Sequence, residues 1–311
     1  MKNNIVVSIL CITFNHEKFI EDALRSFLNQ KTDFQFEIIV HDDASTDSTV
    51  EIIKKYQLFY PNIIKPILEQ ENQYSKGINI TRSILKYAQG IYIATCEGDD
   101  FWTDEYKLQK QVDYMKKHPN CSMYGHANYI VNKNGEKLEI RCGCKCTGKV
   151  NLITDGGYMH VATRLAKKEV YTEIPEYLYK KYYGGVSYVY FAHTLGYLYF
   201  DTTPMSAWRI NPDSVTHTIY LGFYKKKEIV RDYLLFYKKF DNFTKGKYSK
   251  NIIHSEAEQL TELVREYSRY LSKSELTDII KHRAFKDMSL KFKIYIMISR
   301  LIGINKYVYK K

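Results

Sequence analysis

The chain has 311 residues, of which 45% are hydrophobic and 26% are charged, and its net charge is +11. This hydrophobic content is typical of a folded protein and excludes a disordered chain, and the length allows one large domain with an appendage. No run of about 18 uncharged apolar residues occurs, so we predict no membrane-spanning helix. The six cysteines do not indicate a disulfide-stabilised secreted protein.

The first part of the chain alternates between strand and helix patterns. Residues 6–12 form an apolar run rich in β-branched side chains, and apolar residues then recur at helical spacing over 19–27. A second strand pattern covers residues 36–40, and a helix pattern over 50–56 follows it. This alternation predicts an α/β fold with a mostly parallel sheet, in which ligands bind at the carboxyl ends of the strands.

Carboxylates cluster where a third predicted strand, residues 90–94, comes to its end. Glu97, Asp99 and Asp100 follow that strand directly. Such close carboxylates repel one another unless a cation or solvent relieves them, and Mg²⁺ and Mn²⁺ prefer carboxylate ligands. The alternative is a solvated acidic turn. The ends of the three strands are expected to meet, and polar residues also follow the first two strands, which favours a metal site. These polar residues are Asn15, Asp42 and Asp43.

Three cysteines alternate later in the chain, at positions 142, 144 and 146. The paired spacing typical of zinc sites is absent, so reduced thiols on a loop or edge strand are favoured over soft metal ligands. These residues are Cys142, Cys144 and Cys146.

The C-terminal region is basic and has a helical pattern. Polar residues around Pro212 indicate a boundary, so we predict a domain over 1–215 and a basic helical region over 216–311. The segment 285–311 mixes large apolar side chains with lysines. This mixture is compatible with peripheral contact with a membrane and equally with a helix packed on the protein itself.

Three parts of the chain resemble family 2 glycosyltransferases with the GT-A fold, most closely the bacterial enzymes that assemble capsular and other surface polysaccharides. They are residues 7–15, residues 37–47, and residues 90–102 with 107–111. The resemblance implies a Rossmann-like mixed sheet flanked by helices, here with a C-terminal helical extension. It also implies a nucleotide-sugar donor, usually a UDP-sugar, a divalent metal ion (Mn²⁺ or Mg²⁺), and inversion at the anomeric carbon.

The resemblance assigns donor-binding roles to residues near the strand ends. Asp43 matches the carboxylate that pairs with the uracil edge, and Lys76 matches a basic position beside the nucleotide. The end of the first strand matches the segment that lies against the nucleobase; its residues are Ile12, Thr13 and Phe14.

The family's Asp-x-Asp signature falls on Glu97, Gly98 and Asp99. By this match Asp99 is the metal ligand, and Glu97 lies near the ribose or the metal ion. Glu97 departs from the usual Asp and has a longer side chain, which leaves its direct contact with the metal open. Asp100 is the additional acid that often follows the signature.

An inverting transfer needs a general base, and the sequence does not assign it. Relatives carry an acid where this chain has Gly185. A shifted alignment, another acid such as Asp155 or Asp201, and an impaired catalyst are the three explanations. The catalytic candidates are therefore Asp100, Asp155 and His160, of which His160 would meet the acceptor or the diphosphate unless it is a structural histidine.

Two tryptophans and one arginine are further candidates. Trp102 is predicted to stack on a sugar ring, whereas stacking and core packing are equal alternatives for Trp208. Arg209 would bind a phosphate group or form a structural ion pair.

The sequence therefore predicts an inverting, metal-dependent transfer of a sugar from a nucleotide-sugar to a glycan or lipid-linked acceptor in surface polysaccharide biosynthesis. One alternative is a catalytically impaired nucleotide-sugar-binding relative, which Gly185 suggests. Another is a basic nucleic-acid-binding protein, but no nucleic-acid module is recognisable, so we expect no nucleic-acid partner. The oligomeric state is not predicted.

The start of the chain has no signal-peptide pattern, because Met1–Asn4 leads directly into a strand. We expect a cytoplasmic protein, which would be peripheral at the inner face of the cell membrane if the segment 285–311 contacts lipid.

Overall fold

The computed structural model describes residues 5–179, 184–210 and 223–302. The chain divides into two compact units, Met1–Asn211 and Pro212–Lys311, and each has a hydrophobic core of its own. The boundary predicted near residue 216 lies outside the described residues.

The first half of the N-terminal unit is a parallel sheet with helical connections, as its alternating pattern predicts. Its elements are β1 (Ile5–Thr13), α1 (Ile20–Leu28), β2 (Gln35–Asp42), α2 (Thr49–Phe59), β3 (Ile64–Leu68), α3 (Ile80–Ile84) and β4 (Tyr92–Glu97). Strand β1 lies between β2 and β4, and β2 also pairs with β3. All three pairs are parallel, so the carboxyl ends of these strands meet at one edge of the sheet.

The second half of this unit makes the sheet mixed. Its elements are β5 (Phe101–Trp102), α4 (Lys107–Lys117), β6 (Cys121–Val131), β7 (Lys137–Arg141), β8 (Gly148–Val150), a 3₁₀ turn (Val161–Thr163), β9 (Leu165–Lys167), α5 (Glu169–Thr172), α6 (Gly184–Leu195) and β10 (Tyr197–Arg209). Strand β9 is antiparallel to both β4 and β6, and thereby joins the parallel half to β6 and β10. The strand order is β3-β2-β1-β4-β9-β6-β10-β5, with β7 beside β6 and β8 beside β10.

Helix α1 illustrates how the apolar pattern sets the packing. Ile20, Leu24 and Phe27 are fully buried in one cluster with Val7 and Ile9 of β1. Burying each large apolar side chain stabilises the fold by about 1.5–3 kcal/mol. Because β1 is a central strand, this packing holds the edge where the strand ends meet.

The C-terminal unit contains the helices that the basic region predicts. They are α7 (Phe223–Phe243), α8 (Ser249–Tyr267), α9 (Lys273–Lys281) and α10 (Leu290–Ile302). Arg283, which lies between α9 and α10, forms ion pairs with Asp241 of α7 and with the buried Glu256 of α8. Across the described residues, no helix combines the length and the apolar composition needed to cross a bilayer.

Candidate active site

Backbone contacts bring the predicted site residues together at the carboxyl ends of β1, β2 and β4. Ile12 of β1 is in register with Glu97 of β4. Beyond the strands, the amide of Gly98 donates to the carbonyl of Ile12 at 2.9 Å, and the amide of Asp43 donates to the carbonyl of Thr13 at 3.0 Å. The segments that follow these three strands are therefore neighbours in the fold.

Glu97, Asp99 and Asp100 form one carboxylate cluster, in which oxygen atoms of the three side chains lie within 4.8 Å of one another. Glu97 reaches solvent, whereas the side chains of Asp99 and Asp100 are 12% and 1% exposed. Desolvation by the surrounding protein, together with repulsion from Asp99, raises the pKa of Glu97 to about 7. Burial and repulsion from the other two carboxylates raise the pKa of Asp100 well above its usual range.

Gly98 allows the acidic turn to approach β1 closely. A Cβ atom at this position would lie 2.6 Å from Thr13 Oγ1 and 3.0 Å from His16 Nδ1. Any side chain would therefore push the turn away from β1, and with it the carboxylates on either side of the glycine.

His16 is a site residue that the sequence reasoning missed. Its Nε2 atom lies 3.8 Å from Asp99 Oδ2, and its Nδ1 atom is buried without a hydrogen-bond partner among the described residues. The neighbouring Asn15 has a φ of +54° and accepts a hydrogen bond from the amide of Thr46, which ties this turn to the loop after β2. The only sequence signal for His16 was its position just after the first strand.

A group of stacked side chains lies beside Asp100. His160 Nδ1 is 3.8 Å from Asp100 Oδ2, and the His160 ring stacks on Trp208 with ring centroids 4.7 Å apart. The Arg141 guanidinium lies 5.1 Å from the centre of the Trp208 ring. Burial, with the positive charges of Arg164 and Arg141, lowers the pKa of His160 to about 3. His160 is therefore neutral and a weak base at neutral pH.

Asp43 and Lys76 are linked through one loop. The carboxylate of Asp43 is buried and accepts hydrogen bonds from the backbone amides of residues 73 and 74, at 2.7 and 3.1 Å. Lys76 follows on the same loop and forms an ion pair with Glu71. Asp43 thus positions this loop, and its contact with a nucleobase stays a prediction. The three residues predicted to contact the nucleobase differ in exposure. Ile12 is half-buried, Thr13 is buried and Phe14 is exposed.

The sugar-stacking role predicted for Trp102 is wrong. Its side chain is only 4% exposed, and the indole N–H donates to the carbonyl of Ala162 at 3.0 Å. The buried ammonium of Lys107 lies 4.0 Å from the centre of the ring. Trp102 is therefore a core residue beneath the acidic turn, and Trp208 is the half-buried tryptophan of the site.

Of the two roles considered for Arg209, phosphate binding and a structural ion pair, the structure shows the ion pair. Its backbone amide donates to Asp100 Oδ1 at 2.9 Å, and its Nε donates to the carbonyl of Asp99 at 2.9 Å. Its Nη2 donates to the carboxylate of Asp22 on α1 at 2.8 Å. These bonds tie the acidic turn to β10 and α1.

The space beside Gly185 is filled by an arginine. Arg164 Nη1 donates to the carbonyl of Gly185 at 3.1 Å, and a Cβ atom at position 185 would lie 2.9 Å from that Nη1. The guanidinium is buried, and its other hydrogen bonds go to the carbonyl of Met159. An acidic side chain at position 185 would thus meet a cation rather than open space.

The structure does not bring Asp155 or Asp201 into the carboxylate cluster. Asp155 lies on an exposed turn and accepts hydrogen bonds from the amide of Asn151 and the hydroxyl of Thr154. Asp201 accepts hydrogen bonds from the hydroxyl of Tyr124 and from the backbone amide two residues later. In the described residues, these acids have local partners that already use their oxygens.

The carboxylate cluster is the one group of three or more potential metal ligands within the described ranges. Its residues fit a divalent cation, because Asp100 Oδ2 is buried without a hydrogen-bond partner among the described residues, and because burial together with mutual repulsion raises the pKa values of Glu97 and Asp100. Asp99 and Glu97 would hold that cation. The alternating cysteines are free thiols and are not part of such a group.

Buried His126 predicts a measurable pH dependence of stability. Burial lowers its pKa well below the value of about 6.5 that it has in the unfolded chain. Below that pH the unfolded chain therefore binds a proton that the folded chain does not, and the free energy of unfolding falls as the pH drops. When the pH falls from 7.5 to 5.5, this histidine should lower the free energy of unfolding by about 1.4 kcal/mol.

The effect of His126 is measured as a difference, because the raised pKa values of Glu97 and Asp100 act in the opposite direction. Urea unfolding of wild type and His126→Gln is followed at both pH values by tryptophan fluorescence, since both tryptophans lie in the N-terminal unit. When the pH falls from 7.5 to 5.5, the free energy of unfolding of the wild type should decrease by about 1.4 kcal/mol more than that of the variant. Identical pH dependence of the two proteins would show that the pKa of His126 is the same in the folded and unfolded chains, and would contradict the prediction.

Residues 8–172 match the sequence model of the family described as glycosyl transferase family 2. The uncharacterized protein Rv1520 of Mycobacterium tuberculosis is 42% identical over 132 residues, which are 42% of this chain and 37% of that protein. WfaP of Escherichia coli, a UDP-Glc:alpha-D-GlcNAc-diphosphoundecaprenol beta-1,3-glucosyltransferase, is 33% identical over 130 residues, 42% of this chain and 48% of that protein. The matches span between 37% and 51% of the length of these and other curated relatives.

Solved structures with the same fold cover nearly the whole chain. TarS of S. aureus, residues 1–349 in complex with UDP-GlcNAc, has a TM-score of 0.57 at 16% identity, over 98% of this chain and 93% of that one. The mannosyltransferase PcManGT of Pyrobaculum calidifontis, in complex with GDP-Man and Mn²⁺, has a TM-score of 0.54 at 12% identity. The match covers 96% of this chain and 87% of that one. At such identities the likeness concerns the fold, and it confirms the predicted GT-A type of α/β fold.

Proposed function

Because the chain belongs to glycosyl transferase family 2, we propose that it transfers a sugar from a UDP-sugar to a hydroxyl group of a glycan or lipid-linked acceptor. We propose that the transfer is metal-dependent, inverts the anomeric carbon and serves surface polysaccharide biosynthesis. The observation that carries the proposal is the carboxylate cluster at the shared end of β1, β2 and β4. The UDP-glucose donor and the diphosphoundecaprenol-linked acceptor in the name of WfaP, and the UDP-GlcNAc bound to TarS, support these choices.

Asp99 and Glu97 are the residues that would hold Mn²⁺ or Mg²⁺, and the Mn²⁺ bound to PcManGT supports that choice. A bound cation would supply a Lewis acid that neutralises the charge developing on the leaving diphosphate. His16 lies beside the Asp99 carboxylate, just after the end of β1. Gly98 keeps both carboxylates against that strand.

In the reaction the acceptor oxygen bonds to the anomeric carbon while the bond from that carbon to the phosphate oxygen breaks, so that UDP leaves. The proton of the acceptor hydroxyl passes to a general base. We propose Asp100, because its Oδ2 atom is buried beside the other two carboxylates and has no hydrogen-bond partner among the described residues. The half-buried Trp208, stacked on His160 next to Asp100, is the aromatic side chain that an acceptor sugar at this site would contact.

The experiment measures UDP release from a set of UDP-sugars with Mn²⁺, with and without a polyprenyl-diphosphate-linked sugar, and determines the anomeric configuration of the product by NMR. We expect metal-dependent release that the acceptor increases, with an inverted product. Turnover of only GDP- or dTDP-sugars would overturn the choice of UDP.

A second candidate function is nucleotide-sugar binding without transfer. It is favoured by one observation, that Arg164 fills the space where an acid at position 185 would lie. Metal-dependent UDP binding without release of UDP from any donor would support this candidate over the transferase.

A further inference from the structure

Helix α10 (Leu290–Ile302) has an apolar stripe on its outer face. Two leucines at its ends are 70% and 77% exposed, and three residues between them are 42–44% exposed. In chain order the five residues are Leu290, Ile294, Met297, Ile298 and Leu301. Their spacing of three and four residues aligns them along one side of the helix.

The opposite side of α10 is anchored in the core of the C-terminal unit. Ile296 is fully buried, and Phe292 and Tyr295 pack against the same cluster. The outer stripe is therefore a second apolar face on a helix that is already docked through its first. Large apolar side chains gathered on such a surface are typical of an interaction site.

Positive charges border the stripe. At about 100° per residue, Lys291 falls on one side of the stripe, and Lys293 and Arg300 fall on the other. No acidic residue occurs in the sequence from 288 to 311. An apolar stripe bordered by cations is the arrangement with which a helix lies in the interface of an anionic membrane.

We propose that the outer face of α10 binds the surface of an anionic phospholipid bilayer, with the five apolar side chains in the interface and the bordering cations on the lipid headgroups. Charge complementarity favours this occupant over a second copy of the chain, because two such faces would bring like charges together. The proposal goes beyond the transfer reaction and does not depend on it.

The test is co-sedimentation of the full chain with vesicles of phosphatidylcholine alone or mixed with phosphatidylglycerol. The wild type should bind the anionic vesicles more tightly, and the double variant Ile294→Glu/Ile298→Glu should bind them at least about tenfold more weakly. The matched control, Leu58→Glu/Phe59→Glu, alters two exposed apolar residues at the end of α2 and should bind like the wild type. Thermal melting and UDP binding of each variant show that it is folded.

The bordering cations are tested separately with Lys291→Gln/Arg300→Gln. Each of the two removed charges should weaken binding to anionic vesicles by roughly fivefold, so the two losses multiply in this variant. Binding to neutral vesicles should change little. Equal binding of the wild type and the double glutamate variant would overturn the proposal. So would a wild-type dimer in light scattering that the glutamate variant loses, because the stripe would then bind a second copy. UDP binding in the same preparations separates these outcomes from a failure of the donor site.

Discussion

Replacing Asp99 with Asn is expected to lower metal-dependent turnover of the UDP-sugar by about 10²–10³-fold, the usual cost of losing one electrostatic stabiliser of the transition state. The amide keeps the shape of the side chain but removes the charge that attracts the cation. Asp99 is also the member of the cluster that lies next to His16, 3.8 Å from its Nε2 atom. Steady-state UDP release as a function of Mn²⁺ concentration measures the effect.

Asp113→Asn is a matched control for Asp99→Asn, because it removes one aspartate charge from α4, outside the carboxylate cluster. It should keep wild-type turnover. Wild-type turnover in Asp99→Asn, with an unchanged requirement for Mn²⁺, would show that Asp99 does not hold the metal ion.

Asp100→Asn should lower transfer by about 10²–10⁴-fold, the usual contribution of a general base. Asn can still accept the hydrogen bond from the amide of Arg209, so the acidic turn should keep its conformation. Metal-dependent UDP binding should therefore survive while transfer is lost, and calorimetry combined with single-turnover kinetics separates the two.

Asp155→Asn and Asp201→Asn are the controls for Asp100→Asn, since both residues were candidates for the base and both have local partners elsewhere. Both variants should transfer at nearly the wild-type rate. If Asp201→Asn or Asp155→Asn abolishes transfer while Asp100→Asn retains it, the base is assigned to the wrong residue.

The parallel half of the sheet and the acidic turn could be predicted from sequence because both depend on local signals. The apolar runs of β1, β2 and β4 have strand length, and the polar residues that follow them stand where parallel strands end. Once the strands pair in register, Glu97 and Ile12 become neighbours without any further information. The carboxylate cluster follows from this geometry.

Contacts between distant segments could not be predicted in the same way. Arg164 meets Gly185, and His160 stacks on Trp208, only after β6, β9 and β10 have paired, and a single sequence carries no signal for such pairings.

Trp102 was misjudged because distance along the chain was taken for distance in space. It lies two residues after Asp100, but β5 pairs with β10 and its ring packs over Lys107 in the core. Trp208 lies far along the chain from the acidic turn, and yet it is the tryptophan beside it. The pairing of β10 with β5, in which Ala207 lies opposite Phe101, brings it there.

The central claim, a metal-dependent nucleotide site at the carboxylate cluster, is tested most directly by calorimetric titration of UDP into the protein with Mn²⁺ and again with EDTA. We predict binding that requires Mn²⁺ and is lost in Asp99→Asn. Binding of equal affinity in EDTA, or no binding of UDP under either condition, would contradict the account.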